Sequence, residues 1–307
     1  MTPASITEDA RAESRVSPAL VLVVGVVVAS LSPIFVRYSS PQNGGVAEPL
    51  AISFWRCFAA ALVLLPFSLR SSGEGRSREG VKSSVIPGVF LAVHFATWIT
   101  SLELTTVAAS VLLVSTTPIF VALASHYLFG ERLSRAVWIG VVLSFAGAAL
   151  VSGGDLGGSS LQGDALALAG GAAAGGYVIA GSAARRTMGI IDYSVIAYGV
   201  SAGLLLFACI VGDVPLWGYP GRTWIAVAAV VIGPQLIGHT LINFSLKDID
   251  ATTVAVSFMS EPIIASSLAW ALFGEVPTVL LYPGGLAILV GIYLASTAKK
   301  PEAIVTE

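Results

Sequence analysis

Charged side chains are scarce in this chain. Only 11% of its 307 residues are Asp, Glu, Lys or Arg, whereas 55% are hydrophobic. A soluble domain carries roughly 25% charged residues, so this sequence has too few polar side chains to cover a water-facing surface. With a mean hydropathy of +0.86, lipid is expected to be its main solvent. The formal charge of −2 gives no indication of a nucleic-acid partner.

Cysteine and catalytic motifs are sparse as well. The two cysteines, Cys57 and Cys209, lie inside apolar runs, and we interpret them as small packing residues rather than a disulfide or redox pair. The patterns HExxH, GxxxxGK[ST] and CxxC are missing. The one GxSxG match, GVSAG at 199–203, lies inside an apolar run and not at the strand-to-helix turn on which that motif depends. The sequence therefore predicts no enzyme activity, no metal or other cofactor, and no ATP-driven pump.

Long apolar runs fill most of the chain. Crossing about 30 Å of hydrocarbon takes roughly 20 apolar residues in a helix, and lipid cannot satisfy the backbone of an open sheet. The sequence predicts ten membrane helices, at 18–38, 48–69, 83–102, 105–129, 134–152, 162–186, 191–211, 222–245, 250–273 and 277–297. The polar segment 1–17 is predicted to be a disordered cytoplasmic tail, and 298–307 a second cytoplasmic tail.

The positive charges are unevenly distributed between the connections. If the N-terminus is cytoplasmic, thirteen of the 16 Lys and Arg fall on the inner side, Arg37 and Arg222 fall at outer ends, and Arg56 lies within a helix. Positive residues favour the cytoplasmic side, above all in short loops. This asymmetry predicts both termini inside a bacterial inner membrane and supports the helix count.

The two halves of the chain resemble each other. With a shift of 144 residues, Pro118 meets Pro262, and LFGE at 128–131 meets LFGE at 272–275. Five helices per half is an odd number, so the second half would enter the membrane from the opposite side. The sequence thus predicts an all-α fold of two inverted five-helix repeats, 18–152 and 163–297, joined by an outward linker at 153–162.

The same segments resemble a known family. The chain is similar to the EamA type of the drug/metabolite transporter superfamily, with one unit at about 20–152 and one at about 163–297. The resemblance is carried by SFWRCFAAAL (53–62), HFATWITSLELTTVAASVLLVSTTPIF (94–120), FGERLS (129–134), GPQLIGHTLINFSL (233–246) and SEPIIASSLAWALFGEVPT (260–278). It implies a ten-helix permease whose central cavity is lined mainly by the first, third, fourth, sixth, eighth and ninth helices, and it implies transport of small organic solutes, often export.

Polar residues deep in a membrane are costly and often functional. Glu261 is the only acid near the middle of a predicted helix; it is either a substrate ligand or proton carrier, or a protonated side chain bonded within a kinked helix. His94 and His239 fall at nearly equivalent places in the halves, and either line the cavity or are neutral buried histidines; a proton relay is a further alternative. Trp98 shares a helix face with His94, so it lines the cavity or packs against a neighbour.

A second group of polar residues has two readings. Arg56 could pair with an anionic substrate or with Glu261, or its long side chain could snorkel to the outer headgroups. Gln235 and Asn243 flank His239 at four residues on either side, which makes a polar stripe on one helix face. That stripe is expected to face the cavity or an interhelical hydrogen-bond network.

The paired prolines point to the centre of the molecule. Helix breakers at corresponding positions of two repeats indicate a transporter's central site, although Pro118 and Pro262 could also be passive kinks. We expect paired gating hinges, with the adjacent Thr117 and Glu261 facing the substrate. Glu131 and Glu275 of the LFGE segments are interpreted as structural, because Gly stops the helix and Glu then reaches backbone or a cation.

These features favour a secondary transporter that moves a small organic metabolite across the inner membrane. Export is the expected direction, and proton coupling is left open. The alternatives are a non-transporting membrane sensor or structural subunit, and a membrane-embedded enzyme. The lack of a soluble signalling domain and of catalytic motifs argues against both. Lipid and a small solute are the predicted partners.

Overall fold

Helices make up nearly all of the described chain. A computed structural model describes residues 17–40, 45–70, 78–129, 133–154, 161–249 and 251–297, and this part contains no β-strand. Helices lie over all ten apolar runs. Seven helical spans are long and apolar enough to cross a membrane, while the fifth, ninth and tenth runs hold shorter apolar helices. Ten crossings therefore remain a prediction. Both predicted tails lie outside the described residues, apart from Ser17.

Six of the runs are continuous helices. They are α3 (Pro49–Arg70), α4 (Arg78–Leu104), α7 (Arg135–Gly154), α8 (Leu161–Arg185), α9 (Ile190–Val211) and α14 (Leu281–Thr297). Large apolar side chains cover the outside of the bundle, where lipid would contact them. More than half of the side-chain surface is exposed at Leu62, Val142, Phe207, Ile225 and Leu286. The apolar surface explains the composition, because a bundle of this kind needs hydrocarbon around it.

The other four runs are interrupted. The first is α1 (Pro18–Ala29) and α2 (Ser32–Ser39); the fourth is α5 (Val107–Val114) and α6 (Thr117–Phe129); the ninth is α12 (Ala251–Ser257), a 3₁₀ turn and α13 (Glu261–Phe273). In the eighth run, α10 (Gly221–Val230) and α11 (Thr240–Ser245) flank a π-helix at Val231–His239. A proline lies in each interrupted region, where it removes an N–H donor and its ring clashes with the preceding turn: Pro33, Pro118, Pro234 and Pro262.

Hydroxyl side chains repair the backbone at these breaks. At the fourth run, Pro118 has no N–H to donate to the carbonyl of Val114, and Thr117 Oγ1 donates to that carbonyl at 2.8 Å. At the ninth run, Ser257 Oγ donates to the carbonyl of Val254 at 2.6 Å. Carbonyls that lose their helical partner need another donor in a dry interior, so the Ser and Thr residues around the breaks stabilise interrupted helices there.

Small residues let the helices approach closely. A Cβ added at Gly147 in α7 would lie 2.5 Å from the carbonyl oxygen of Gly284 in α14, and one added at Gly291 would lie 2.5 Å from that of Gly140. Ser144 Oγ donates to the carbonyl of Ile288 at 3.3 Å across the same interface. Without a hydrophobic force between helices in lipid, such close packing and interhelical hydrogen bonds drive association.

Candidate functional site

A narrow cavity lies where the interrupted helices meet. Its volume is about 50 Å³, which is room for a few water molecules. It is lined from the first, third, fourth, sixth, eighth and ninth runs, by Ala29, Ser32, His94, Trp98, Val114, Ser115, Thr117, Ala174, Tyr177, Val178, His239, Ile242, Phe258 and Glu261. Pockets for drug-sized ligands hold roughly 300–1,000 Å³, so an organic solute would have to widen this cavity.

One wall of the cavity is aromatic. The His94 ring stacks on Trp98, with centroids 5.6 Å apart and an interplanar angle of 7°. His94 Nδ1 lies 2.9 Å from the carbonyl oxygen of Gly170; because a carbonyl only accepts, the proton is on Nδ1, and Nε2 of the neutral ring is an acceptor. Trp98 is only 3% exposed, and its Nε1 has no hydrogen-bond partner among the described residues.

Arg56 lies behind the residues that line the cavity. Its side chain is 0% exposed, with its guanidinium carbon 3.7 Å from the centre of the Phe95 ring. Arg56 Nε donates to Gln235 Oε1 at 2.8 Å, and Nη1 donates to the cavity-lining Ser32 at 3.2 Å. Snorkelling to the headgroups is therefore wrong for Arg56. Cation–π contact and the two hydrogen bonds hold the guanidinium in the interior.

Asn243 belongs to an interhelical network. Tyr177 donates its hydroxyl proton to Asn243 Oδ1 at 2.8 Å, and Asn243 Nδ2 donates to the hydroxyl of Tyr198 at 3.4 Å. The backbone carbonyl of Asn243 accepts from Arg185 Nε at 3.0 Å. Asn243 is fully buried and does not line the cavity; it bonds to Tyr177, which does. The network joins α8, α9 and α11.

Glu261 is the acid of the cavity wall. It begins α13 directly after the 3₁₀ turn, and its side chain is 7% exposed. Within the described residues, the structure gives its carboxylate no hydrogen bond and no ion pair. The direct pairing with Arg56, one of the alternatives from the sequence, is thus not formed in the described structure.

The predicted site residues therefore separate into three groups. Five of them line one cavity: Glu261, His94, His239, Trp98 and Thr117. Arg56, Gln235 and Asn243 are buried behind the wall, while Pro118 and Pro262 lie in the first turns of α6 and α13. The sequence reasoning missed the break of the first run and the lining residues Ser32, Ser115 and Tyr177. Pro33, directly after Ser32, was the available signal for that break.

A charged cluster connects three helical runs near one end of the bundle. Gly274, with φ of +69°, ends α13, and the following Glu275 lies 3.1 Å from Arg37 Nη2. Glu275 Oε2 also accepts from the backbone N–H of Val107 at 2.9 Å. Arg37 Nη2 in turn donates to the carbonyl of Thr105 at 3.2 Å. Glu275 therefore contacts both backbone and a cation; Glu131, its counterpart, lies outside the described residues.

Comparison with known proteins gives a consistent picture. The pseudopaline exporter CntI of Pseudomonas aeruginosa (strain UCBPP-PA14) is 27% identical over 252 residues, which cover 81% of this chain and 86% of that protein. An uncharacterized transporter of Archaeoglobus fulgidus is 26% identical over 290 residues, covering 92% of this chain and 97% of that one. A solved crystal structure has a TM-score of 0.66 at 21% identity, over 91% of this chain and 96% of that chain, and shares the fold.

The described helices with their apolar outer surface, together with the family match, define a multi-pass membrane transporter. The model of the EamA-like transporter family matches the chain twice, over residues 16–153 and 161–297. The chain belongs to the EamA-like transporter family, and the expected membership of the drug/metabolite transporter type is confirmed.

Proposed function

We propose that this protein is a secondary carrier that exports a small organic solute across a bacterial inner membrane by alternating access. The observation that carries the proposal is the central cavity, which has a few polar side chains in its wall and lies at the junction of interrupted helices from both halves of the chain. Interrupted helices around a central cavity are typical of secondary transporters. Export as the direction is supported by the relative named as the pseudopaline exporter.

Reciprocal contacts support the inverted repeat. Gly147 meets the carbonyl of Gly284, and Gly291 meets that of Gly140; each pair becomes the other under the shift of 144 residues. Cys57 Sγ and Ser201 Oγ, also 144 residues apart, lie 3.3 Å from each other. Equivalent positions meet in this way near a two-fold axis. The two halves could then close the cavity from opposite sides in turn.

Both ends of the bundle have cross-helix ties. The cluster of Arg37 and Glu275 lies at the end that the charge distribution assigns to the outside. At the other end, Ser245 Oγ donates to the carbonyl of Pro18 at 3.3 Å, and Arg185 fixes the carbonyl of Asn243. The narrow cavity between these ties fits a state closed to both sides.

Uptake into proteoliposomes tests the function. Purified protein is reconstituted and screened with radiolabelled metabolites, with Ala174→Phe as a variant that fills the cavity from α8. We expect saturable, protein-dependent uptake of at least one solute, its loss in Ala174→Phe, and its retention in Ala169→Phe, which places the same ring on the exposed face of α8. Binding of a solute without any flux would instead favour a membrane sensor.

A further inference from the structure

The interior beside the cavity holds a cation with no counter-ion in contact. Arg56 is 0% exposed, and among the described residues no carboxylate oxygen lies within 4.0 Å of its guanidinium nitrogens. Arg56 uses Nε and Nη1 on Gln235 and Ser32, but Nη2 has no partner within the described residues. Arginine does not lose its charge in proteins, and a buried charge normally has a partner.

Neighbouring buried residues also have polar hydrogens or nitrogens without a partner in the described part of the chain. Gln235 Oε1 faces Arg56, and Gln235 Nε2 is left without a partner in the described part of the chain. Trp98 Nε1, a donor in the cavity wall, is likewise without a partner there, and so is His239 Nδ1, which donates in one of the two imidazole tautomers. The Phe95 ring contacts both residues: its centroid is 3.7 Å from the guanidinium carbon of Arg56 and 5.3 Å from the ring centroid of His239. Buried donors are rarely left unmade in native proteins, so this concentration indicates an acceptor-rich ligand.

Accordingly, we propose that the solute of this cavity carries a carboxylate, which is bound by the unused donors around Arg56, with Arg56 as its counter-charge. The proposal rests on the proposed function and adds the chemical class of the solute. Ser32 lies on the cavity side and Arg56 directly behind it, so widening the cavity at Ser32 brings the guanidinium within reach. A carboxylate matches the site because it only accepts hydrogen bonds and carries the opposite charge.

Gln235→Glu provides an internal test of this idea. It places a carboxylate where the amide oxygen already accepts from Arg56 at 2.8 Å. If Arg56 lacks a counter-ion, the variant should unfold at a higher temperature than the parent in the absence of solute, and it should no longer bind carboxylates. If Arg56 has only a structural role, Gln235→Glu should not combine a higher unfolding temperature with a loss of carboxylate binding.

The main experiment measures thermal unfolding of detergent-purified protein with small acids and their primary amides: propionate, lactate, alanine, succinate and benzoate. At least one acid should raise the unfolding temperature, with its amide at least tenfold weaker. Arg56→Met and Gln235→Glu should lose this response. Arg135→Met makes the same change at an exposed position at the start of α7 and should keep the response. Trp98→Phe, which removes only the N–H donor from that wall, should weaken the acid severalfold.

Flux of the same solutes in proteoliposomes separates the two proposals. An acid that binds but is never transported would remove the carrier function and leave the binding site. If neutral solutes are transported and no acid stabilises the protein, the carrier function would stand, but the proposal that the solute carries a carboxylate would be overturned. Equal responses to acids and amides, or a full acid response in Arg56→Met, would also overturn it, and so would a panel in which no acid has any effect.

Discussion

Most polar side chains inside this bundle are used locally, on carbonyls of their own helix or on one neighbour. Ser30, Ser115 and Ser257, for example, all donate to a backbone carbonyl within four residues. Glu261 differs, because its carboxylate lines the cavity and has no partner among the described residues. A membrane-embedded acid of this kind is a default hypothesis for a coupling site.

If Glu261 carries a coupling proton, Glu261→Gln should abolish transport driven by a pH gradient, while solute exchange without a gradient continues. The amide keeps the size of the side chain but cannot take up or release a proton in the pH range of a transport assay. Reconstituted protein with an imposed pH gradient measures the first activity, and counterflow measures the second. Glu79→Gln, at an exposed position in α4, is the matched control. Gradient-driven transport that survives in Glu261→Gln would contradict the carrier role.

At the scale of helices, the α7–α14 interface depends on residues without side chains. A Cβ at Gly291 would lie 2.3 Å from Ser144 Oγ and 2.5 Å from the Gly140 carbonyl oxygen. Gly291→Ala should therefore lower the free energy of unfolding by about 1–3 kcal/mol, the usual cost of overpacking. At Gly203 a Cβ meets nothing within 4 Å, so Gly203→Ala should be neutral or stabilise the helix slightly. Unfolding in detergent compares the two, and equal effects would contradict this account of the packing.

The interrupted helices carry a prediction about gating. Pro118 and Pro262 follow equivalent breaks, at Ser115–Thr116 and at Phe258–Ser260. Replacing either by Ala restores a backbone donor and should stiffen that run, which slows turnover at near-normal expression. In an inverted repeat the two replacements should shift the balance of inward-open and outward-open states in opposite directions. A cysteine at Ala174, labelled from each side, measures that balance; the double variant with unchanged turnover and labelling would make the prolines passive kinks.

The charged cluster predicts a second effect on the same balance. Glu275→Gln keeps an acceptor for the Val107 N–H but removes the ion pair with Arg37. Losing this tie should raise outside labelling of the Ala174→Cys variant severalfold, because a partly buried ion pair favours the closed end. The exchanged pair Arg37→Glu with Glu275→Arg should restore part of the original labelling. Unchanged labelling in Glu275→Gln would show that the cluster does not hold this end closed.

For the whole molecule, the charge distribution predicts which end faces the cytoplasm. Glu79 at the start of α4 and Val276 after α13 are both exposed, and the topology assigns them to opposite sides. A membrane-impermeant maleimide should label Val276→Cys in intact cells, but Glu79→Cys only after permeabilisation. The parent chain is the blank, because both of its own cysteines are buried. Labelling of Glu79→Cys in intact cells would invert the topology.

Much of the architecture followed from one-dimensional patterns. Hydropathy runs locate helices because lipid forces every span to satisfy its own backbone, and the structure has helices over each of those runs. Proline positions 118 and 262 located two of the breaks for the same local reason. These properties belong to single segments, so no partner is needed to infer them. The composition and the family resemblance likewise gave the class of protein.

Only the tertiary structure decided what each polar residue contacts. Gln235, His239 and Asn243 were expected on one face at a spacing of four, and they lie along the π-helix at Val231–His239 and the α11 helix that follows it. Their contacts differ nevertheless: Gln235 meets Arg56, His239 lines the cavity, and Asn243 bonds Tyr177. The sequence shows that these side chains are polar and deep in the membrane. Which of them reach the cavity depends on the rotation and packing of whole helices, and that information is distributed over residues far apart in the chain.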